Sequence, residues 1–193
     1  LFKGFANSFG QRNYFEKHNY NLDFSLYHEK DKAVKSLVAG FEWDKEIFRR
    51  KIERAKSELA VLKKPAKTIT PGKYRVYLSP AALAEIMQML CWGGFSEKSQ
   101  QTKTSPLLKM RDDNKTLSPK LSITENIKEG ASANFQEDGF VKPQQVIFLH
   151  EGSLQNCLIS PRTAKEYNLT TNGSNSEESP TALDIYPGSL RED

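Results

Sequence analysis

The sequence predicts an α+β fold with antiparallel or mixed sheets and few helices. Three observations carry that reading. Asn19 to Tyr27 alternates with period two, Tyr20, Leu22, Phe24 and Leu26 on one side and Asn19, Asn21, Asp23 and Ser25 on the other, the signature of a half-buried strand. Phe48, Ile52, Ala55, Leu59 and Leu62 repeat at spacings of four and three, the signature of an amphipathic helix. Beyond Ser105 the chain breaks into short apolar runs separated by turn residues, an all-β pattern.

In the N-terminal part, a turn at Asn7–Gly10 leads into Arg12–Lys17, which extends the first strand. His28 to Lys32 is a polar turn, and Ala33 to Phe41 returns as a second strand, so an antiparallel meander is the simplest arrangement. Asp44 caps the helix that follows. Its outer face is filled by Lys and Arg, and Pro65 stops it. These elements make residues 1–64 one region, residues 65–70 a linker within Lys63–Thr70, and residues 71–193 a second domain.

In the second domain, Pro71-Gly72 turns into a short strand, Lys73 to Leu78. Ser79 caps the next helix and Pro80 occupies its first position, where a missing N–H costs nothing. Ala81 to Trp92 is almost wholly apolar and is expected to be buried on most sides, with Gly93-Gly94 ending it. Leu107–Met110 and Leu117–Thr124, the latter interrupted by Pro119, are expected strands. Glu137–Gly139 is a turn, Val146–His150 an apolar strand, and Ser153–Ile159 its continuation after Glu151-Gly152. Ser160-Pro161 starts a short helix through Tyr167. Asn172-Gly173 is a turn, Ser174–Pro180 a mobile loop, and Ala182–Tyr186 a last strand before Pro187-Gly188.

Composition narrows the function classes. The 193 residues are 37% hydrophobic and 27% charged, as in a soluble globular protein. No apolar run approaches the roughly 20 residues that span a bilayer. The longest, Ala81 to Trp92, is broken by Glu85 and Gln88. The chain opens on Leu1, and LFKGFANSFGQ lacks the basic start, apolar core and cleavage site of a signal peptide, so a cytoplasmic piece of a longer protein is expected. Cys91 and Cys157 stand far apart without CxxC neighbours and read as buried free thiols. The net charge of +4 is uneven. Lys45 to Arg75 holds 11 Lys/Arg against 3 Asp/Glu. That segment is the one feature favouring nucleic acid, which its lack of interleaved aromatic residues disfavours.

Catalytic patterns are missing. His18, His28 and His150 lie far from one another, so no HExxH-type pair forms, and no Cys/His cluster has metal spacing. The sequence has no GxSxG elbow, Walker loop or GxGxxG. Ser105 and Ser160 are serines beside turns. Asp112-Asp113 and Glu177-Glu178 read as solvated loop charges.

Five segments in order resemble the TldD/PmbA family, also called modulators of DNA gyrase: PGKYRVYLSPAALAEIMQML, TKTSPLLKM, FQEDGFVKP, VIFLHEGSLQNCLISPRTAKEYNLTTNG and LDIYPGSL. The resemblance implies a β-rich C-terminal domain of TldD/PmbA type over residues 71–193, truncated at its end, with residues 1–64 from the family's middle region. It implies two kinds of subunit. TldD-type subunits bind zinc through an HExxxH helix and a later cysteine, and the metal activates water for peptide hydrolysis. PmbA-type (TldE) subunits lack those ligands. Counted back from Ser105, the histidine positions fall at about Gln88 and Gly93, and Cys157 lies well before the position of the third ligand. The resemblance therefore implies a PmbA-type subunit with no metal of its own. Zinc is expected on a TldD-type partner, self-association as a dimer is the alternative assembly, and the substrate is a peptide. Ser105, Gly139, Asn172 and Gly173 are the candidate residues of a substrate groove, because turns with little side chain let another backbone approach. The competing readings are an active peptidase or other hydrolase with an unrecognised site, and a module associated with DNA gyrase or nucleic acid.

Overall fold

Local turn chemistry sets the first element. Asn7 Oδ1 accepts from the Phe9 and Gln11 amides, both at 3.1 Å, and Gly10 takes φ +85°. This closes a hairpin of β1 (Phe2–Ala6) and β2 (Arg12–Glu16), in register from Phe2↔Glu16 to Ala6↔Arg12. The computed structural model to which these elements belong describes residues 1–29 and 32–187. β3 (Tyr20–Glu29) and β4 (Lys32–Gly40) form a second antiparallel hairpin in a separate two-stranded sheet. Of the expected polar turn His28–Lys32, Lys30 and Asp31 lie outside the described residues, as does Gly188 of the expected final turn.

α1 (Lys45–Leu62) starts where Asp44 Oδ1 accepts from the Glu46 and Ile47 amides at 2.7 and 3.0 Å. Its stripe packs on β4, burying Ala55 with Val34 and Val38. Phe48 meets the rings of Phe24 and Trp43, and Trp43 stands edge-on to Tyr20 at 5.2 Å. These elements and the chain up to Glu85 form one compact unit.

The other unit joins residues 2–17 to the chain from Ile86 onward. The first hairpin belongs here because Gln11 Nε2 donates to the Gly139 carbonyl at 2.6 Å. Lys17 Nζ likewise donates to the carbonyls of Glu129 and Gly130. The expected single meander is therefore two independent hairpins. The two compact units divide inside α2 (Pro80–Leu90). After α2 come α3 (Glu97–Gln101), α4 (Leu108–Asp112), β5 (Ile123–Asn126), β6 (Gln145–His150), β7 (Ser153–Leu154), α5 (Pro161–Tyr167) and β8 (Leu183–Ile185). The four strands pair antiparallel in the order β7-β6-β5-β8. Their core is Phe95, Leu107, Met110, Ile123, Val146, Phe148, Leu149 and Leu158. The fold class is α+β, as expected.

Several expected elements are corrected. Lys73–Leu78 forms no strand, because no ladder partner meets it among the described residues; Tyr74, Val76 and Tyr77 are exposed. α2 is apolar but has no fully buried residue: only Met87, Leu90 and, just past its end, Cys91 reach the core. In place of the strand expected over Leu107–Met110, a turn in which Ser105 Oγ accepts from the Leu107 amide at 3.1 Å leads into the helix Leu108–Asp112. The strand expected over Leu117–Thr124 begins only at Ile123, since Pro119 lacks an N–H and Leu121 bonds back to Ser118. β7 is two residues long, not the run expected to Ile159. Ser174–Pro180 is packed rather than loose: Ser174 and Glu178 are each 1% exposed, and Asn175 bonds Ser179 twice. Among the described residues no helix is long and apolar enough to cross a membrane.

Candidate functional site

The end of α2 and the turn after it hold Gln88 and Gly93, the two positions where the resemblance expects histidines. Gln88 lies exposed on α2. Gly93 has φ +82°, a left-handed conformation, and a Cβ built there would lie 2.8 Å from Ser99 Oγ. At Gly94 a Cβ would come 2.2 Å from the Leu90 carbonyl oxygen. The two glycines let the chain leave the helix tightly. Phe95 then enters the core and stacks on Phe148, with centroids 4.3 Å apart.

Directly after Phe95 the chain buries charge. The Glu97 side chain is 7% exposed and takes a two-pronged bond from Arg111, Nη1 to Oε1 at 2.7 Å and Nη2 to Oε2 at 2.5 Å. Gln101 Nε2 adds a bond at 2.7 Å. Glu178 is equally enclosed. Its Oε2 accepts from Ser96 Oγ at 2.7 Å and the Lys98 amide at 2.8 Å, and its Oε1 accepts from the Ser160 amide at 2.8 Å. Burial works to raise both carboxyls. For Glu97 the bonds from Arg111 and Gln101 outweigh it. For Glu178 those from Thr163, Lys98, Ser160 and Ser96 do. Both end below the usual carboxylate range and are ionised at neutral pH.

Cys157 Sγ lies 3.5 Å from Arg111 Nη2, yet burial pushes its thiol up to about 12. Burial also raises Cys91. Neither is a thiolate at neutral pH, so neither offers a nucleophile or a ready metal ligand. A second buried pair joins Glu125 and Lys142 at 3.5 Å. Thr181 bridges it, donating to Glu125 Oε1 from N and Oγ1 and accepting from Lys142 Nζ at 3.0 Å. Among the described residues no three His, Cys, Asp or Glu side chains gather as a metal site.

The four groove candidates fall in two places. Ser105 is 7% exposed beside the α2–α3 turn. Its Oγ donates to the Gly94 carbonyl at 3.2 Å and accepts from Gln100 Nε2 and the Leu107 amide, both at 3.1 Å. Asn172 holds the Cys157–Ile159 segment like a strand neighbour, accepting from the Ile159 amide at 2.9 Å and donating to the Cys157 carbonyl at 2.8 Å. Gly173, at φ +71°, lies against Val141, whose carbonyl oxygen is 2.5 Å from a built Cβ. Gly139 sits two residues before Val141 at φ +85°, with the Phe5 ring 2.4 Å from a built Cβ. The structure thus brings Gly139, Asn172 and Gly173 to one neighbourhood, while Ser105 meets Gly94 instead.

Residues 71–189 match the PmbA/TldA metallopeptidase C-terminal domain. The chain belongs to this family. Its fold is similar to that of a Thermotoga maritima protein named for modulation of DNA gyrase (TM-score 0.75, 21% identity), covering 97% of this chain and 44% of that one. A Bacteroides thetaiotaomicron protein named likewise gives a TM-score of 0.65 at 20% identity, covering 94% of this chain and 41% of that one. TldE from Thermococcus kodakarensis gives 0.64 at 13% identity, covering 97% and 45%. The chain therefore spans less than half the length of these solved relatives. No curated protein matches it.

In this PmbA/TldA domain the Glu97–Arg111 and Glu178 clusters tie the α2–α3 turn to α4, α5 and the 174–180 segment. Their acceptors are filled by protein donors, which makes them braces rather than acid–base groups. Sequence reading missed them. Glu97 and Arg111 are 14 residues apart, Ser96 and Glu178 are 82 apart, and no local periodicity links such pairs. Glu178 sat in SNSEESP, whose composition suggests solvent. The one local signal is a serine cap at Ser96 followed by an acid, Glu97, in the first turn of a helix.

Proposed function

We propose that this chain is a PmbA/TldE-type, non-catalytic subunit of a TldD/TldE-type metallopeptidase that cleaves small or unfolded peptides. The observation that carries the reading is Gly93. The family pattern expects a zinc-binding histidine there, but its φ of +82° and the 2.8 Å approach to Ser99 Oγ suit only glycine. Gln88, at the other histidine position, offers an amide, a poor zinc ligand. Cys157 holds its proton. The residues present do not fit a zinc site. Zinc belongs to a TldD-type partner.

In this reading Gly139, Asn172 and Gly173 shape the floor of a peptide groove from beneath, and Ser105 holds the separate turn at Gly94. An extended peptide would meet the sheet as an added strand. Co-expression of the full-length protein with a TldD-type subunit tests the proposal. A stable complex is expected, with zinc retained by the complex and absent from this protein purified alone. Stoichiometric zinc on this protein alone, or failure of the two to co-elute, would overturn it.

A further inference from the structure

β4, α1 and the start of α2 enclose a cleft of about 190 Å³ within the unit of residues 18–85. The volume is about six waters' worth at roughly 30 Å³ each, enough for a small ligand. Helical spacing builds one wall. Lys51, Arg54, Ala55 and Glu58 follow at i, i+3, i+4 and i+7 on α1, and Ala55 is 1% exposed. Lys35 on β4 and Ser79 to Ala84 at the start of α2 supply the others.

The charges do not cancel. Glu58 Oε1 accepts from Arg54 Nε at 2.9 Å, and the Arg54 guanidinium also lies 6.0 Å from the centre of the Tyr77 ring. That pair is internally satisfied. Lys35 and Lys51 have no carboxylate partner among the described residues, so the cleft keeps two uncompensated cations. α2 adds to them. Ser79 Oγ accepts from the Ala82 amide at 3.3 Å, Pro80 has no N–H, and the Ala81 amide has no partner among the described residues at the positive end of the helix. The rest of the lining is apolar apart from Ser36: Leu37, Ala55, Pro80, Ala81 and Ala84.

Two lysines beside an apolar floor specify a ligand with one anionic head and a short aliphatic body. We propose that this cleft binds a small organic anion, its carboxylate or phosphate between Lys35 and Lys51 and its body against Leu37, Ala55 and Ala84. Nothing in this proposal depends on the peptidase reading.

Calorimetric titration of the full-length protein tests it with three probes: inorganic phosphate, N-acetyl-leucine, and the uncharged N-acetyl-leucine amide. Saturable binding of at least one anion is expected, with no binding of the amide. Phosphate binding alone would assign the head as phosphate, and N-acetyl-leucine binding alone would assign it as carboxylate. The variant Lys35→Gln/Lys51→Gln, at two positions outside the core, is expected to keep its circular dichroism spectrum and to lose about tenfold or more in affinity. Raising chloride to about 0.5 M is expected to weaken binding through screening. Absence of binding by either anion, equal binding of the amide, or unchanged affinity in the folded double variant would overturn the proposal.

Discussion

At Gly93 the backbone turns left-handed and Ser99 Oγ occupies the space a side chain would need. Substitution Gly93→Ala must either strain the φ angle or displace Ser99, whose amide is bonded to Ser96 Oγ at the start of α3. The expected cost is about 1–3 kcal/mol, from the penalty of a non-glycine residue in a sparsely populated backbone region. Urea denaturation followed by circular dichroism measures it; a change under about 0.5 kcal/mol would show that the turn is not built for glycine. Such a position is half legible in the sequence. Gly93-Gly94 announces the end of a helix, but neither the sign of φ nor the neighbour that fills the empty space is written locally. The sequence predicts buried thiols at Cys91 and Cys157. Cys157 is buried and Cys91 is half-buried, because α2 meets the core on one side alone.

At the scale of elements, legibility follows the range of the interactions that make them. α1 was readable because its cap, stripe and stop are all local, and Asp44 caps it as expected. The β3–β4 hairpin was readable because Tyr20, Phe24 and Leu26 repeat with the pleat. Lys73–Leu78 repeats in the same way and forms no strand, since alternation describes one strand and says nothing of its partner. Leu107–Met110 is too short for period two and period 3.6 to be told apart, and the Ser105 turn decides it.

The brace around α3 is beyond any local pattern, and it makes a pH-dependent contribution to stability. Glu97 and Glu178 have folded-state pKa values below those of an unfolded glutamate, about 4.3. Their contribution is therefore fully present above that unfolded value and is lost as pH falls through the lower folded values. Thermal melts are expected to hold steady near neutral pH and to drop below about pH 5. In Glu97→Gln, which keeps the shape and loses the charge, the melt near pH 7 is expected to fall and its dependence between about pH 5 and pH 3 to flatten. An acid limb as steep as that of the unsubstituted protein would show that Glu97 does not contribute to it.

Across the whole molecule, the family was legible because five individually weak segments stand in one order. The attachment of the first hairpin to the later part of the chain was not, because it depends on bonds to Glu129, Gly130 and Gly139, more than a hundred residues away. Under the proposed role, this PmbA/TldA family chain supports peptide cleavage without performing it. The most direct test is cleavage of an unfolded peptide by three samples: the full-length protein alone, a TldD-type subunit alone, and the two together. No cleavage is expected from the first, and more from the pair than from the TldD-type subunit alone. Cleavage by this protein alone, lost on chelation of metal, would contradict it.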